Sequence, residues 1–132
     1  MKSILNISEA ASIAIHSLAI IAGAKDRINV NQLAEMTGFS KNHIAKILQQ
    51  LAKKGYVDAD RGPHGGYVIK KDSSQVSLFE IYELIDGALP ESHCGIHDGK
   101  CPFKECVYGD LHKNAEREFR SYLQNKFIHD VI

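Results

Sequence analysis

The feature that most constrains this chain is a change of hydrophobic period at Gly55. Before it, Ile44, Ile47, Leu48 and Leu51 recur at helical spacing, which predicts an amphipathic helix from Lys41 to Lys54. Ser40 is placed to cap that helix, Lys53 and Lys54 suit the dipole of its last turn, and Gly55 ends it. After Gly55 the pattern becomes strand-like. Tyr56-Val57-Asp58-Ala59-Asp60 and Tyr67-Val68-Ile69-Lys70 read as two strands around the turn Arg61-Gly62-Pro63-His64-Gly65-Gly66. Upstream, Asn29 precedes a short helix, Val30 to Thr37, with Leu33, Ala34 and Met36 for the core and Gly38 at the stop position. Two short helices joined by a Gly-containing turn form a helix-turn-helix, and a following hairpin makes it a winged helix.

Ser8 caps an earlier helix running to about Ala24 whose apolar residues surround most of its circumference, the pattern of a helix buried nearly all round. Ser77 and Glu80 form a capping box for a helix to about Ala88, ended by Gly87 and Pro90. Residues 90–105 have no apolar period and read as a loop. A last helix, Val107 to Asn125, carries Leu111, Ala115, Phe119 and Leu123 at i+4 steps. The expected fold is mainly α with a small β-hairpin: a winged helix-turn-helix plus a long C-terminal dimerisation helix. The expected division is a DNA-binding domain over 1–75 and a cysteine-loop sensor and dimerisation region over 76–132. A length of 132 residues suits one small domain. No run reaches the roughly 18 apolar residues of a membrane span, and Ile13–Ala24 lacks the cleavage site of a signal peptide, so a cytoplasmic location is expected.

Net charge is zero, but it is unevenly distributed. Residues 1–71 hold ten Lys/Arg against five Asp/Glu, and residues 72–132 hold six against eleven. The basic half contains the winged helix, which inverts the ordinary reading of a charged helix face as merely solvated. Opposite the apolar stripe of the second helix lie Asn42, Ala45, Lys46 and Gln49, with Lys41 and His43 beside them. Asn, Lys and Gln are residue types that read base edges in the major groove, while Lys and Ser also hold phosphates. Arg61 and His64 in the hairpin turn are available to a minor groove or to adjacent phosphates.

The three cysteines, Cys94, Cys101 and Cys106, fall within thirteen residues of the acidic half. An odd, tight cluster outside an oxidising compartment favours a metal or redox site over a disulfide framework. Structural zinc favours cysteine pairs two to four residues apart, and gaps of six and four better suit an iron–sulfur cluster. Unligated thiols and a zinc staple are the competing readings. His93, His97, Asp110 and His112 are near in sequence. No nucleophile–base–acid pattern suggests an enzyme, and Gly62, Gly65 and Gly66 lie in a hairpin turn rather than in a phosphate-binding loop that opens a helix.

Arg61-Gly62-Pro63-His64-Gly65-Gly66-Tyr67 resembles the wing signature of the IscR/NsrR-type family of bacterial iron–sulfur winged-helix transcriptional regulators. Ser40-Lys41-Asn42-His43-Ile44-Ala45-Lys46 is similar to the start of that family's recognition helix, and the three-cysteine loop before a long helix belongs to the same pattern. The resemblance implies a homodimeric repressor on a palindromic operator in double-stranded DNA. It also implies a [2Fe–2S] or [4Fe–4S] cluster on Cys94, Cys101 and Cys106. DNA contacts would come from Ser40, Lys41, Asn42, His43, Lys46 and Arg61. The spacing departs from the near-equal gaps of the family. One branch takes a fourth ligand from a His three residues after the last Cys, which here is Gly109. Another takes an Asp on the partner's first helix, which here matches Ser12. Glu9, one turn earlier, and His112 are the remaining candidates. The alternatives to a cluster sensing redox, nitric oxide or iron–sulfur status are a metal-free thiol regulator and a zinc-stapled DNA-binding or interaction module.

Overall fold

The computed structural model describes residues 4–89, 94–96 and 99–132. Among the described residues, five α-helices and one antiparallel hairpin are arranged around one apolar core. Helix α1 (Glu9–Gly23) is nearly apolar all round; Ile13, Ala14, Ser17, Leu18 and Ile21 are buried, and Ile15, Ala19 and Ile20 pack at the margin. Such a helix needs neighbours on several sides, and α1 packs against four other elements described below and the C-terminal segment.

Helix α2 (Val30–Thr37) opens with a reciprocal capping box. The Gln32 amide donates to Asn29 Oδ1 at 2.8 Å and the Asn29 amide to Gln32 Oε1 at 2.9 Å. It closes at Gly38, whose φ of 80° sets the turn of the helix-turn-helix. Helix α3 (Lys41–Lys53) follows, with Ser40 Oγ accepting from the His43 amide at 3.1 Å. It buries Ile44, Ile47, Leu48 and Leu51, the four residues whose spacing predicts the helix.

Strands β1 (Val57–Asp60) and β2 (Gly66–Ile69) pair with Val57 opposite Ile69 and Asp60 opposite Gly66. The wing is also anchored at its outer edge. Ile28 exchanges two backbone hydrogen bonds with Tyr67, at 3.1 and 2.8 Å, and Arg27 forms an ion pair with Asp60. The turn is tight enough to demand glycine at residue 65, where a Cβ would lie 2.5 Å from the Asp60 carbonyl oxygen.

Helix α4 (Leu78–Asp86) carries the expected Ser77–Glu80 capping box and ends two residues short of Ala88, because Gly87 takes a φ of 83°. Helix α5 (Leu111–Asn125) begins four residues later than the apolar spacing predicts. Residues 107–110 form turns in which the Gly109 amide donates back to the Cys106 carbonyl, and Gly109 itself is left-handed. On α5 only Leu123 is buried, while Phe119 packs edge-on to Tyr82 with centroids 5.5 Å apart. Leu111 and Tyr122 remain 62% and 60% exposed.

The segment after α5 returns to the core. Leu78 donates its amide to the Lys126 carbonyl and Ile128 to the Val76 carbonyl, both at 2.8 Å. Ile128 is then fully buried in a 3-10 turn (Ile128–Val131) lying on α1.

Tyr56 joins the wing to the acidic half. Its hydroxyl donates to Glu80 Oε2 at 2.6 Å, and Lys71 Nζ lies 4.0 Å above its ring. Burial, then the hydrogen bond to Glu80 and its negative charge, hold the phenol neutral well above the ordinary tyrosine range. Because the folded state prefers the neutral phenol, this contribution is complete below about pH 10 and is lost as pH rises beyond it. Tyr56→Phe is expected to lower stability by about 1–2 kcal/mol at neutral pH in urea denaturation. The gap between the two proteins should narrow as denaturation is repeated above about pH 10; a constant gap would show that the phenol does not matter in this way.

Candidate functional site

Two sites emerge from this frame, one on the winged helix and one beyond α4. On α3 the buried stripe fixes the orientation of the rest. Lys41, Asn42, Lys46 and Gln49 all project to solvent, His43 is half-buried, and Ser40 is exposed at the N-cap. The outward face therefore carries amide and ammonium donors on the helix half that follows the left-handed Gly38 turn. None of these groups is spent on an ion pair with a neighbouring acid among the described residues.

The wing stands beside this helix. Between them runs a groove of about 680 Å³ bordered by Asn31, Gln49, Lys53, Arg61 and Tyr67, among others. A second hollow, on the other side of the turn, is bordered by Arg27, Gln32, Pro63 and His64. Arg61 and His64 are both exposed at the tip. Two acids lie on β1 in this basic half, and each has a cation. Asp58 faces Lys70 at 3.7 Å and Asp60 faces Arg27. Both pairs are solvent-exposed, so they add little to stability, but each offsets a negative charge on β1. Sequence spacing had singled out Arg61 and His64 but not Arg27, Asn31 or Gln32. These three become visible only once Ile28 pairs with Tyr67 and brings the start of α2 to the wing.

At the second site Cys94, Cys101 and Cys106 are exposed and unpaired. The fold brings all three to the border of one cavity of about 160 Å³, together with Ile96, Phe103, Val107 and Tyr108. Three thiols among apolar and aromatic side chains form a donor set suited to a soft, thiophilic centre. Among the described residues no three His, Cys, Asp or Glu side chains converge on a point that would hold a single metal ion. Neither Glu9 nor His112 borders this cavity. Glu9 is exposed at the first turn of α1; His112 is half-buried on α5, its ring edge-on to Tyr108 at 5.0 Å. Asp110 is exposed at the N-terminal end of α5. His93 and His97 lie outside the described residues. Among the described residues no helix is long and apolar enough to cross a membrane.

Comparison with known proteins agrees with this arrangement. Residues 7–132 match the Rrf2 family model, described as iron-dependent transcriptional regulators. A protein of Aquifex aeolicus assigned as an HTH-type transcriptional regulator is 25% identical over 129 residues, covering 95% of this chain and 90% of its own. IscR of Klebsiella pneumoniae, another transcriptional regulator, is 24% identical over 100 residues, covering 76% of this chain. The matched region spans 61% of that IscR, about three-fifths of its length. Among solved structures, CymR of B. subtilis, the global cysteine regulator, superposes with a TM-score of 0.72 at 18% identity, covering 97% of this chain and 96% of its own. IscR of T. potens gives 0.66 at 19% identity, over 96% and 85%. These structures share the winged-helix fold, and the named relatives are transcriptional regulators rather than enzymes. The chain belongs to the Rrf2 family of transcriptional regulators.

Proposed function

We propose that this regulator is a homodimer that binds a palindromic operator through α3 and the wing, and that its affinity follows the state of an iron–sulfur cluster held by Cys94, Cys101 and Cys106. The observation that carries the sensing part is the meeting of three free thiols at one cavity immediately before α5. In this reading residues 1–75 bind DNA and residues 76–132 sense and dimerise. Lys41, Asn42, His43 and Lys46 enter the major groove, Ser40 holds a phosphate, and Arg61 and His64 reach the flanking minor groove or backbone. Dimerisation is supported by α5, whose Leu111 and Tyr122 stay exposed in the single chain alongside Val107 and Tyr108. A bound cluster would supply a centre reactive toward oxidants and nitric oxide. The chain's own part would be to present the three cysteine sulfurs, with Glu9 of a second copy or His112 completing the set. A cytoplasmic location and a repressor's action belong to the same reading.

A second reading keeps the DNA half and uses the cysteines as thiols without metal. It is favoured by their exposure and by the similarity to CymR, one solved form of which, from Staphylococcus aureus, is described as oxidized.

Protein purified without oxygen separates the two. The cluster reading expects visible charge-transfer absorption with about two irons and two sulfides, or four and four, per chain. Colourless, iron-free protein that stays so after treatment with ferrous iron and sulfide would overturn it and leave thiol sensing. For DNA, Lys46→Ala and Arg61→Ala are each expected to weaken binding across all sequences and to lower the salt dependence by about one counterion. Asn42→Ala should instead relax preference at one base position, at a cost of about 1–3 kcal/mol. Fluorescence anisotropy on duplexes selected by the wild-type protein reads both; unchanged affinity in all three variants would remove α3 and the wing from the interface.

A further inference from the structure

We infer that Asp86 is a positioning residue that couples the cysteine segment to the recognition helix by clasping the start of α1. The inference rests on the sensing reading above and adds the connection that this reading needs. Asp86 is the last residue of α4, where the helix dipole disfavours an anion. Both of its carboxylate oxygens are engaged by one residue. Oδ2 accepts from the Ser8 amide at 3.0 Å, and Oδ1 accepts from the Ser8 hydroxyl. The same Ser8 oxygen accepts from the Ala11 amide at 3.0 Å and so caps α1. The Asp86 charge therefore sits at the N-terminal end of α1, where a helix dipole favours it. One turn back on α4, the buried Tyr82 donates its hydroxyl to the Asn6 carbonyl at 3.2 Å, so two residues four apart hold the lead-in to α1.

The position of this clasp gives it a role beyond capping. Gly87, the next residue, leaves α4 at a φ of 83°, and the chain then enters the segment that carries the cysteines. A displacement at the root of that segment acts directly on Asp86. On the other side of the clasp, α1 packs against both α4 and α3. The described contacts run from Asp86, next to Gly87 where the cysteine-bearing segment leaves α4, through Ser8 to α1 and α3. The Asp86–Ser8 bonds are solvent-exposed, so water replaces either partner at little cost. Tyr82, by contrast, is buried. One rigid anchor beside one exchangeable contact is what a transmitted movement requires.

The test uses the full chain in its iron-free form and after treatment with ferrous iron and sulfide without oxygen. Operator affinity is measured in both states, with amide hydrogen exchange at Ala11 and Ser12 as a readout independent of DNA. Wild type is expected to change affinity about tenfold between states, with a change in first-turn exchange. Asp86→Asn and Ser8→Ala are expected to shrink that ratio to about twofold while iron-free affinity stays within about twofold of wild type. Ser8→Thr, which keeps the hydroxyl, should retain the wild-type ratio; this separates the clasp from a general loss of stability. A full wild-type ratio and exchange response in Asp86→Asn would overturn the clasp and leave the sensing reading standing. A wild-type protein whose affinity is the same in both states would overturn both.

Discussion

Burial of α1 is the constraint on which the rest of the structure depends. An apolar helix with almost no polar face has to be covered on several sides, and here α3, α4, the wing, α2 and the C-terminal turn supply the cover. Helix α3 is therefore not an appendage on a separate scaffold. It shares its packing partner with the elements next to the cysteine segment. Two elements packed on one rigid helix do not shift independently, because close-packed interiors transmit displacement rather than absorb it. Among the described residues α3, α4 and the C-terminal turn all pack on this one helix.

The winged helix was legible in the sequence because each of its signals is local. Ser40, Asn29 and Ser77 each cap the helix that spacing assigns to them, and the residues at i, i+3, i+4 and i+7 of α3 are the ones buried. What sequence reasoning missed depends on distant pairing. Nothing near Ile28 announces its ladder with Tyr67, and nothing near Phe127 announces its bridge to Ser77. Ser17 is buried in α1 with no hydrogen-bond partner for its hydroxyl among the described residues, a detail that no periodicity encodes. On α5 the i+4 spacing marks apolar residues correctly, but it does not say what covers them. Leu123 meets this chain's core, whereas Leu111 remains in solvent.

The cysteine site divides in the same way. Close spacing in sequence foretold that three thiols would gather, and they border one cavity. The two candidates for a further donor, Glu9 and His112, are placed by α1 and α5 rather than by the loop. Neither borders the cavity within a single chain. Both acids of the wing strand β1 are paired with cations, while the excess of acids lies beyond residue 71.

The C-terminal segment completes this logic. The long helix α5 ends at Asn125, and a helix held only along its own length would be free to swing about the turns that precede it. Instead the chain returns through Lys126 and Ile128, pairs with the entrance to α4, and seats Ile128 in the core beside α1. Near Gly23 it also borders an apolar hollow shared with Ile28, the residue that holds the wing edge. Both ends of α1 are thus held by the half of the chain that carries the cysteines, the N-terminal end by α4 and the C-terminal end by this segment. α3 packs on the same helix, so under the proposed coupling a displacement of α1 would be passed to it.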